Sequence, residues 1–303
     1  MTRSRVGSFV SHLVKPRPPG RGRNFSRKRL VGESIARAVY GSGWAARAWA
    51  RVPGRTAVDL VRHDLALLPT RPDGGTRVLR VAFASDFHIG PLTSPRLLDN
   101  AFALLAELRP DVLVLGGDYV YMEATPEMAR ELEARVAAVP ARTKIAILGN
   151  HDLWTHHDRI EAALRAAGAT VLVNDALVLP APFEDVAFVG IDDPWAGKPD
   201  AARALRGGEG AGLRIGLSHS PEGVPMLQGR GLALLLCGHT HGGQIALPSG
   251  PVVVQGKHGR RWPAGLYQLG EMSLFVSRGL GSVELPIRAY ARPDVSLFTL
   301  SQR

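Results

Sequence analysis

Five apolar segments in this chain each run straight into a short polar cluster built from Asp, His and Asn. The clusters are Ser85-Asp86-Phe87-His88, Gly116-Gly117-Asp118, Gly149-Asn150-His151-Asp152, Ser218-His219-Ser220 and Gly238-His239-Thr240-His241-Gly242-Gly243-Gln244. The apolar segments read as buried strands, rich in Val, Ile and Leu and too short for buried helices. Helical patterns separate several of them. Ser94-Pro95 opens one, with Leu97, Leu98, Ala101, Leu105 and Leu108 on a single face, and Thr125-Pro126 opens another. A chain of this kind folds as an α/β sheet system, and such sheets gather ligands outside the carboxyl ends of their strands.

Further strands are predicted at 58–68, 171–173, 177–179, 186–189, 251–254, 265–269, 273–277 and 295–300, and a helix near Asp200–Leu205. Asp158-Arg-Ile-Glu161 reads as a capping box. After Gly238 the pattern is strand and turn only. Together these predict an α/β body whose second sheet is largely antiparallel.

The clustered residue types suit hard to borderline divalent cations, which take carboxylate, imidazole and amide oxygen. Asp86-x-His88 and His239-x-His241 put two such side chains on one side of an extended segment. Asp118 has two oxygens and a central place, so it can bridge two ions. Two close cations lower the pKa of a shared water and neutralise charge on a phosphoryl group. Each cluster alone is a common turn or cap. All five in this order, each after an apolar strand, are a pattern that chance seldom produces.

These clusters resemble the calcineurin-like metallophosphoesterases. Gly-His-Thr-His-Gly-Gly-Gln, Leu247-Pro248, Arg278-Gly279-Leu280-Gly281, Leu285-Pro286-Ile287-Arg288 and Arg292-Pro293 are similar to the bacterial YkuE/YaeI-like branch. The resemblance runs from Leu68-Pro69 to Leu300. It implies two face-to-face mixed β-sheets flanked by helices, an αββα sandwich, and a metal-dependent phosphoric ester hydrolase. It implies one divalent ion (Mn, Fe or Zn) on Asp86, His88, Asp118 and His241 and a second on Asp118, Asn150, His219 and His239. It gives His151 the role of a catalytic group that contacts phosphoryl oxygen or protonates the leaving group. The branch also suggests a lipid-linked substrate resembling a UDP-diacylglucosamine. A nucleotide or nucleic-acid phosphodiesterase is the alternative enzyme, and a catalytically inactive scaffold the alternative of another class. Retention of all seven ligand positions and His151 speaks against the scaffold. Members of the branch often begin with a transmembrane helix and carry Pro-Glu near the end; this chain has a charged, broken N-terminal stretch and Pro293-Asp294.

Charge divides the chain. Residues 1–55 hold thirteen Lys and Arg against one acid, Glu33, although the whole chain carries only +10. The remainder is therefore near neutral, and no nucleic-acid partner is expected for it. Residues 1–29 combine nine of those bases with prolines and glycines, a composition that predicts disorder. Val31, Ile35 and Val39, then Tyr40 and Trp44, recur at helical spacing, and Gly41-Ser42-Gly43 separates two short helices. We therefore divide the chain into a basic arm, 1–55, and a hydrolase domain, 56–303. A basic segment bearing tryptophan suits peripheral contact with an anionic membrane; a helix pair packed on the domain, or an arm that binds nucleic acid, are the other readings. No charge-free apolar run reaches the length of a bilayer span, so a cytoplasmic or peripheral membrane location is expected, with export only weakly suggested.

Among other polar residues, Asp152 reads as a cap for the following turn. Glu222 and Asp192-Asp193 read as surface groups, and His156 and His157 as exposed loop residues. Trp154 and Trp195 are either core or pocket wall. Arg278 and Arg288 could meet phosphate or form internal salt bridges. Cys237 is the only cysteine, reads as a small buried hydrophobe, and rules out an intrachain disulfide.

Overall fold

A computed structural model describes residues 27–71 and 74–302. Two six-stranded sheets lie face to face. The first runs, in spatial order, through Asp59–Leu68, Asp294–Gln302, Leu79–Ala84, Val112–Leu115, Thr143–Ala146 and Ala169–Val171. The last four are mutually parallel, and the C-terminal strand enters antiparallel to Leu79–Ala84. The second runs through Gly265–Leu269, Met272–Val276, Leu234–Cys237, Leu213–Leu217, Val186–Gly190 and Asp175–Val178. The predicted αββα sandwich is the observed fold.

The second sheet is not largely antiparallel. Its four central strands are parallel, and only its two edges are antiparallel. Leu234–Cys237 and Met272–Val276 are joined by a long excursion, which allows a parallel return that the string of short strands hid. That excursion also contains a helix, Lys257–Arg261, where only strand and turn were expected. The Asp158 capping box is not formed either: the helix starts at His157 with His156 at its N-cap.

Packing explains the near-continuous apolar runs. Phe83, Val114, Ile147, Phe188, Leu217, Phe275 and Phe298 fill the space between the sheets. A second core lies between the first sheet and its helices, with Leu98, Leu105, Leu132, Ile160 and Leu164. A third covers the outer face of the second sheet, with Val224, Leu227 and Trp262. Strands buried on both faces cannot alternate apolar with polar residues, so their pattern is continuous.

In the arm, the helices Arg27–Tyr40 and Trp44–Trp49 flank the Gly41–Gly43 break. The first begins inside the stretch predicted to be disordered; the rest of that stretch, 1–26, lies outside the described residues. Its Ala36 and Tyr40 pack with Leu92, Tyr121, Met122 and Val283, and Arg37 pairs with Glu123 at 3.0 Å. Val31, Ile35, Val39 and Trp44 stay exposed. Among the described residues no helix is long and apolar enough to cross a membrane.

Candidate metal centre

Three strands of the first sheet and two of the second end side by side, and their polar clusters meet across the edge of the sandwich. Leu79–Ala84 delivers Asp86 and His88, Val112–Leu115 delivers Asp118, and Thr143–Ala146 leads to Asn150 and His151. Leu213–Leu217 delivers His219, and Leu234–Cys237 delivers His239 and His241. Asp86, His88, Asp118, Asn150, His151, His219 and His241 are all buried.

Among the described residues, atoms able to hold a cation fall into three groups: Asp86, His88 and His241; Asp118, His219 and His239; and His88, Asp118 and His151, which shares a residue with each of the other two. His88 Nε2 lies 3.6 Å and His219 Nε2 lies 3.2 Å from the same Asp118 oxygen, Oδ2. His241 Nε2 is 3.5 Å from Asp86 Oδ1. Asn150 Oδ1 is buried and accepts no hydrogen bond from the described residues. A buried amide oxygen left so is costly unless a cation or donor completes it. His88 Nε2 and His241 Nε2 face each other at 3.1 Å, close enough for one to donate to the other or for both lone pairs to meet one cation. The donor set of carboxylate, imidazole and amide fits divalent ions.

The backbone is bent to make this possible. Asp86, His88, Asp118, His239 and His241 all have positive φ, between 45° and 70°. That region is uncommon for residues with a Cβ, and it turns each side chain back over the strand ends. Glycines give the space. A Cβ at Gly149 would collide with the Asp118 carboxylate, and one at Gly238 with Ser85 Oγ and Asp86.

Burial and neighbouring charge set the protonation states. Burial pushes the His88 imidazole down to about 4, so the ring is neutral at pH 7 with one nitrogen lone pair available. His241 is driven well below its ordinary value by burial, with His88 and the Arg288 cation adding to it. Burial would lower His219 as well, but the Asp118 carboxylate overrides it and raises that pKa well above the usual value. Burial lifts Asp86 to about 6 against the opposing pull of His219.

Other residues hold these candidate ligands in place. Asp152 does cap its turn, through Gly149 N at 2.9 Å, but it also accepts the backbone N–H groups of Asp118 and Tyr119, each at 2.8 Å. His219 Nδ1 meets Gly116 O at 2.8 Å, which leaves Nε2 toward Asp118. Arg288 is buried and donates to the carbonyls of Gly281, Ala291 and Arg278, with its guanidinium 2.8 Å from His241 Nδ1. Arg278 pairs with Asp294 and Asp59. Both arginines are engaged by the chain itself and tie the C-terminal tail to the site. Asp294, at the position that departs from Pro-Glu, also accepts the Ser277 hydroxyl at 2.6 Å. The sequence reading passed over Gln244, whose side chain bonds Val283 N, Val283 O and Leu285 O and so fixes one wall of the site. The available signal was the Gly-Gly-Gln run immediately after His241.

Asp192 and Asp193 are buried rather than on the surface, and accept backbone N–H groups of the 193–198 turn. Glu222 is half-buried and accepts His258 N at 2.8 Å. His156 and His157 are half-buried at a helix start instead of exposed. Trp154 is core and also packs on the His151 ring, while Trp195 stands against His239. Cys237 is buried, and burial raises its thiol pKa.

A groove of about 370 Å³ opens over the centre, lined at its floor by Asp118, Asn150, His151, His239 and His241. Its walls are largely apolar and include Ile245, Val252, Val253, Val283 and Leu285. Residues 79–243, which span the five polar clusters as far as Gly243, match the calcineurin-like phosphoesterase family. The chain belongs to the calcineurin-like phosphoesterases. This phosphoesterase is 30% identical over 281 residues to the phosphodiesterase YaeI of Escherichia coli, covering 91% of this chain and 99% of that one. It is 29% identical over 254 residues to the uncharacterized metallophosphoesterase YkuE of Bacillus subtilis, covering 80% and 85%. It is also 29% identical over 241 residues to a transmembrane protein with a metallophosphoesterase domain from Danio rerio, covering 74% and 53%. The phosphoesterase is thus a metal-dependent phosphoric ester hydrolase, and its buried Asp and His clusters can hold two divalent ions.

Proposed function

We propose that this phosphoesterase hydrolyses a phosphodiester or pyrophosphate bond with two divalent ions. Asp86, His88, Asp118 and His241 hold one ion, and Asp118, Asn150, His219 and His239 the other. The observation that carries this reading is the approach of His88 and His219 to a single oxygen of Asp118, which joins the two groups at one carboxylate. Bound divalent ions supply Lewis acidity and a nucleophilic water at neutral pH.

The chain's own residues do the rest. Asp118 is held from behind by Asp152, and its Oδ1 accepts the His151 backbone N–H at 2.8 Å. His151 therefore sits at a fixed distance from the shared carboxylate. Its ring lies 4.7 Å from the His88 ring and packs on Trp154 and Tyr121. From the groove floor it can meet a phosphoryl oxygen and give a proton to the departing oxygen. General-acid help of that type is worth about 10²–10⁴ in rate.

The finer reading is a lipid-linked substrate, such as a diacylated sugar nucleotide, reached from a membrane surface. The apolar walls beside the ligand floor support it, because a small hydrophilic ester gains nothing from them. The basic arm supports membrane contact. The test is metal analysis of the purified chain, then hydrolysis assays with Mn, Fe and Zn on bis(4-nitrophenyl) phosphate, a nucleotide diester and a lipid-linked pyrophosphate. A chain loaded with two equivalents of metal that cleaves none of them would refute the reading.

A further inference from the structure

We propose that the rim of the groove is itself a membrane-docking surface, so that the site opens directly onto an anionic bilayer. This rests on the phosphoesterase reading only for what enters the groove; the docking stands on the rim's own chemistry. The Ala246–Leu247 and Gly250–Pro251 strands form a small hairpin beside the groove. Leu247 and Val252 are more than half exposed, and Val253 is 68% exposed. Tyr290, 71% exposed, is held next to this hairpin by the bridge from Ile245. Leu285 also lines the groove and is exposed. An apolar group of this size at the mouth of a site marks an interaction surface rather than scattered surface residues.

Charge selects the bilayer as the occupant. Exposed Lys257, Arg260 and Arg261 follow the Val252–Val254 run within seven residues of its end. Glu284 is an exposed acid among the described residues that line the groove. The arm helix, Arg27–Tyr40, packs through Ala36 and Tyr40 in the same cluster as Val283, a residue of the groove wall. The arm helix is thereby brought to the side of the groove, with Val31, Ile35 and Val39 exposed on it. An apolar rim fringed by lysine and arginine matches the layered chemistry of an anionic interface: acyl chains for the hairpin, headgroups for the cations. The same groove is lined by Val252, Val253 and Leu285 of this rim and by Asp118, Asn150 and His151 of the floor. A lipid's phosphoester could therefore reach the floor while its chains remain in contact with apolar side chains.

The full chain is tested by flotation with phosphatidylcholine vesicles containing 30% phosphatidylglycerol, about the anionic fraction that gives a useful surface potential. Leu247→Glu with Tyr290→Glu, neither of which lines the groove, should lower vesicle binding at least ~10-fold. Hydrolysis of bis(4-nitrophenyl) phosphate should stay within about twofold, which shows that the variant is folded and keeps the two readings separable. In a second measurement Leu247→Cys carries an environment-sensitive fluorophore; Cys237 is the only other cysteine and is buried, so labelling is selective. A blue shift on vesicles is expected. Undiminished flotation of the double variant, or an unshifted fluorophore on bound protein, would overturn the proposal. So would a dimer in solution that the double variant abolishes, because the rim would then be covered by a second copy.

Discussion

His88 and His241 stand 153 positions apart in the chain, yet their Nε2 atoms are 3.1 Å from each other. Each comes from the turn that follows a strand, His88 after Leu79–Ala84 of the first sheet and His241 after Leu234–Cys237 of the second. The contact closes the edge of the sandwich, and it is tenable because burial keeps both rings neutral, with His88 pushed down to about 4. Protonating both would set two cations against each other in a buried site.

Asp118→Ala should leave the protein without either ion, or with one weakly held. Both proposed ion sites include this carboxylate, and His88 and His219 both lie against its Oδ2. Metal analysis after desalting checks this; two retained equivalents would show that Asp118 does not bridge.

Asp152→Asn should weaken metal retention without touching a ligand. The carboxylate accepts three backbone N–H groups, and an amide would turn an NH₂ toward at least one of them. A buried donor left facing a donor costs about 1–3 kcal/mol. The expected readout is a lower melting temperature together with faster metal loss to a chelator, and unchanged retention would limit Asp152 to capping.

His151→Ala should keep its metal but lose turnover on substrates with poor leaving groups. The loss should be about 10²–10⁴, shrinking for a nitrophenyl ester, whose leaving group needs no proton. Equal losses on both substrates would count against proton donation.

Lys144→Met should destabilise the fold by about 1–3 kcal/mol, because an ammonium bonded to carbonyls is replaced by a group that cannot donate. Lys144 Nζ donates to Val136 O, Ala137 O and Ala167 O, at the ends of two helices, and so completes both. Urea denaturation with metal present measures the change.

Arg77 should protect the protein against acid. Its hydrogen bonds to Asp185 hold that carboxyl below the ordinary aspartate value. A carboxyl depressed in the folded state contributes stability above its unfolded pKa, and that stability is lost as pH falls. The stability gap between wild type and Arg77→Ala should therefore narrow from roughly pH 5 down to pH 2. A gap independent of pH would assign the effect to packing on Phe183 instead.

The chain's sequence alone determined the strand count near the site and the identity of the polar cluster at each strand end. Asp86, Asp118, Asn150, His219 and His241 could be named because a buried strand is a continuous apolar run, so the polar residues that interrupt it stand out. It did not determine which strands pair. The direction of Met272–Val276 against Leu234–Cys237 depends on where a connection of more than thirty residues returns, and no local pattern records that. Nor could it separate Arg278 and Arg288 from phosphate contacts or place Asp192 and Asp193 indoors. The partners of those side chains are backbone carbonyls, amides and distant carboxylates, brought together only by the closing of the two sheets. Hydrogen bonds to the main chain carry no sequence signature, so only the tertiary structure could assign them.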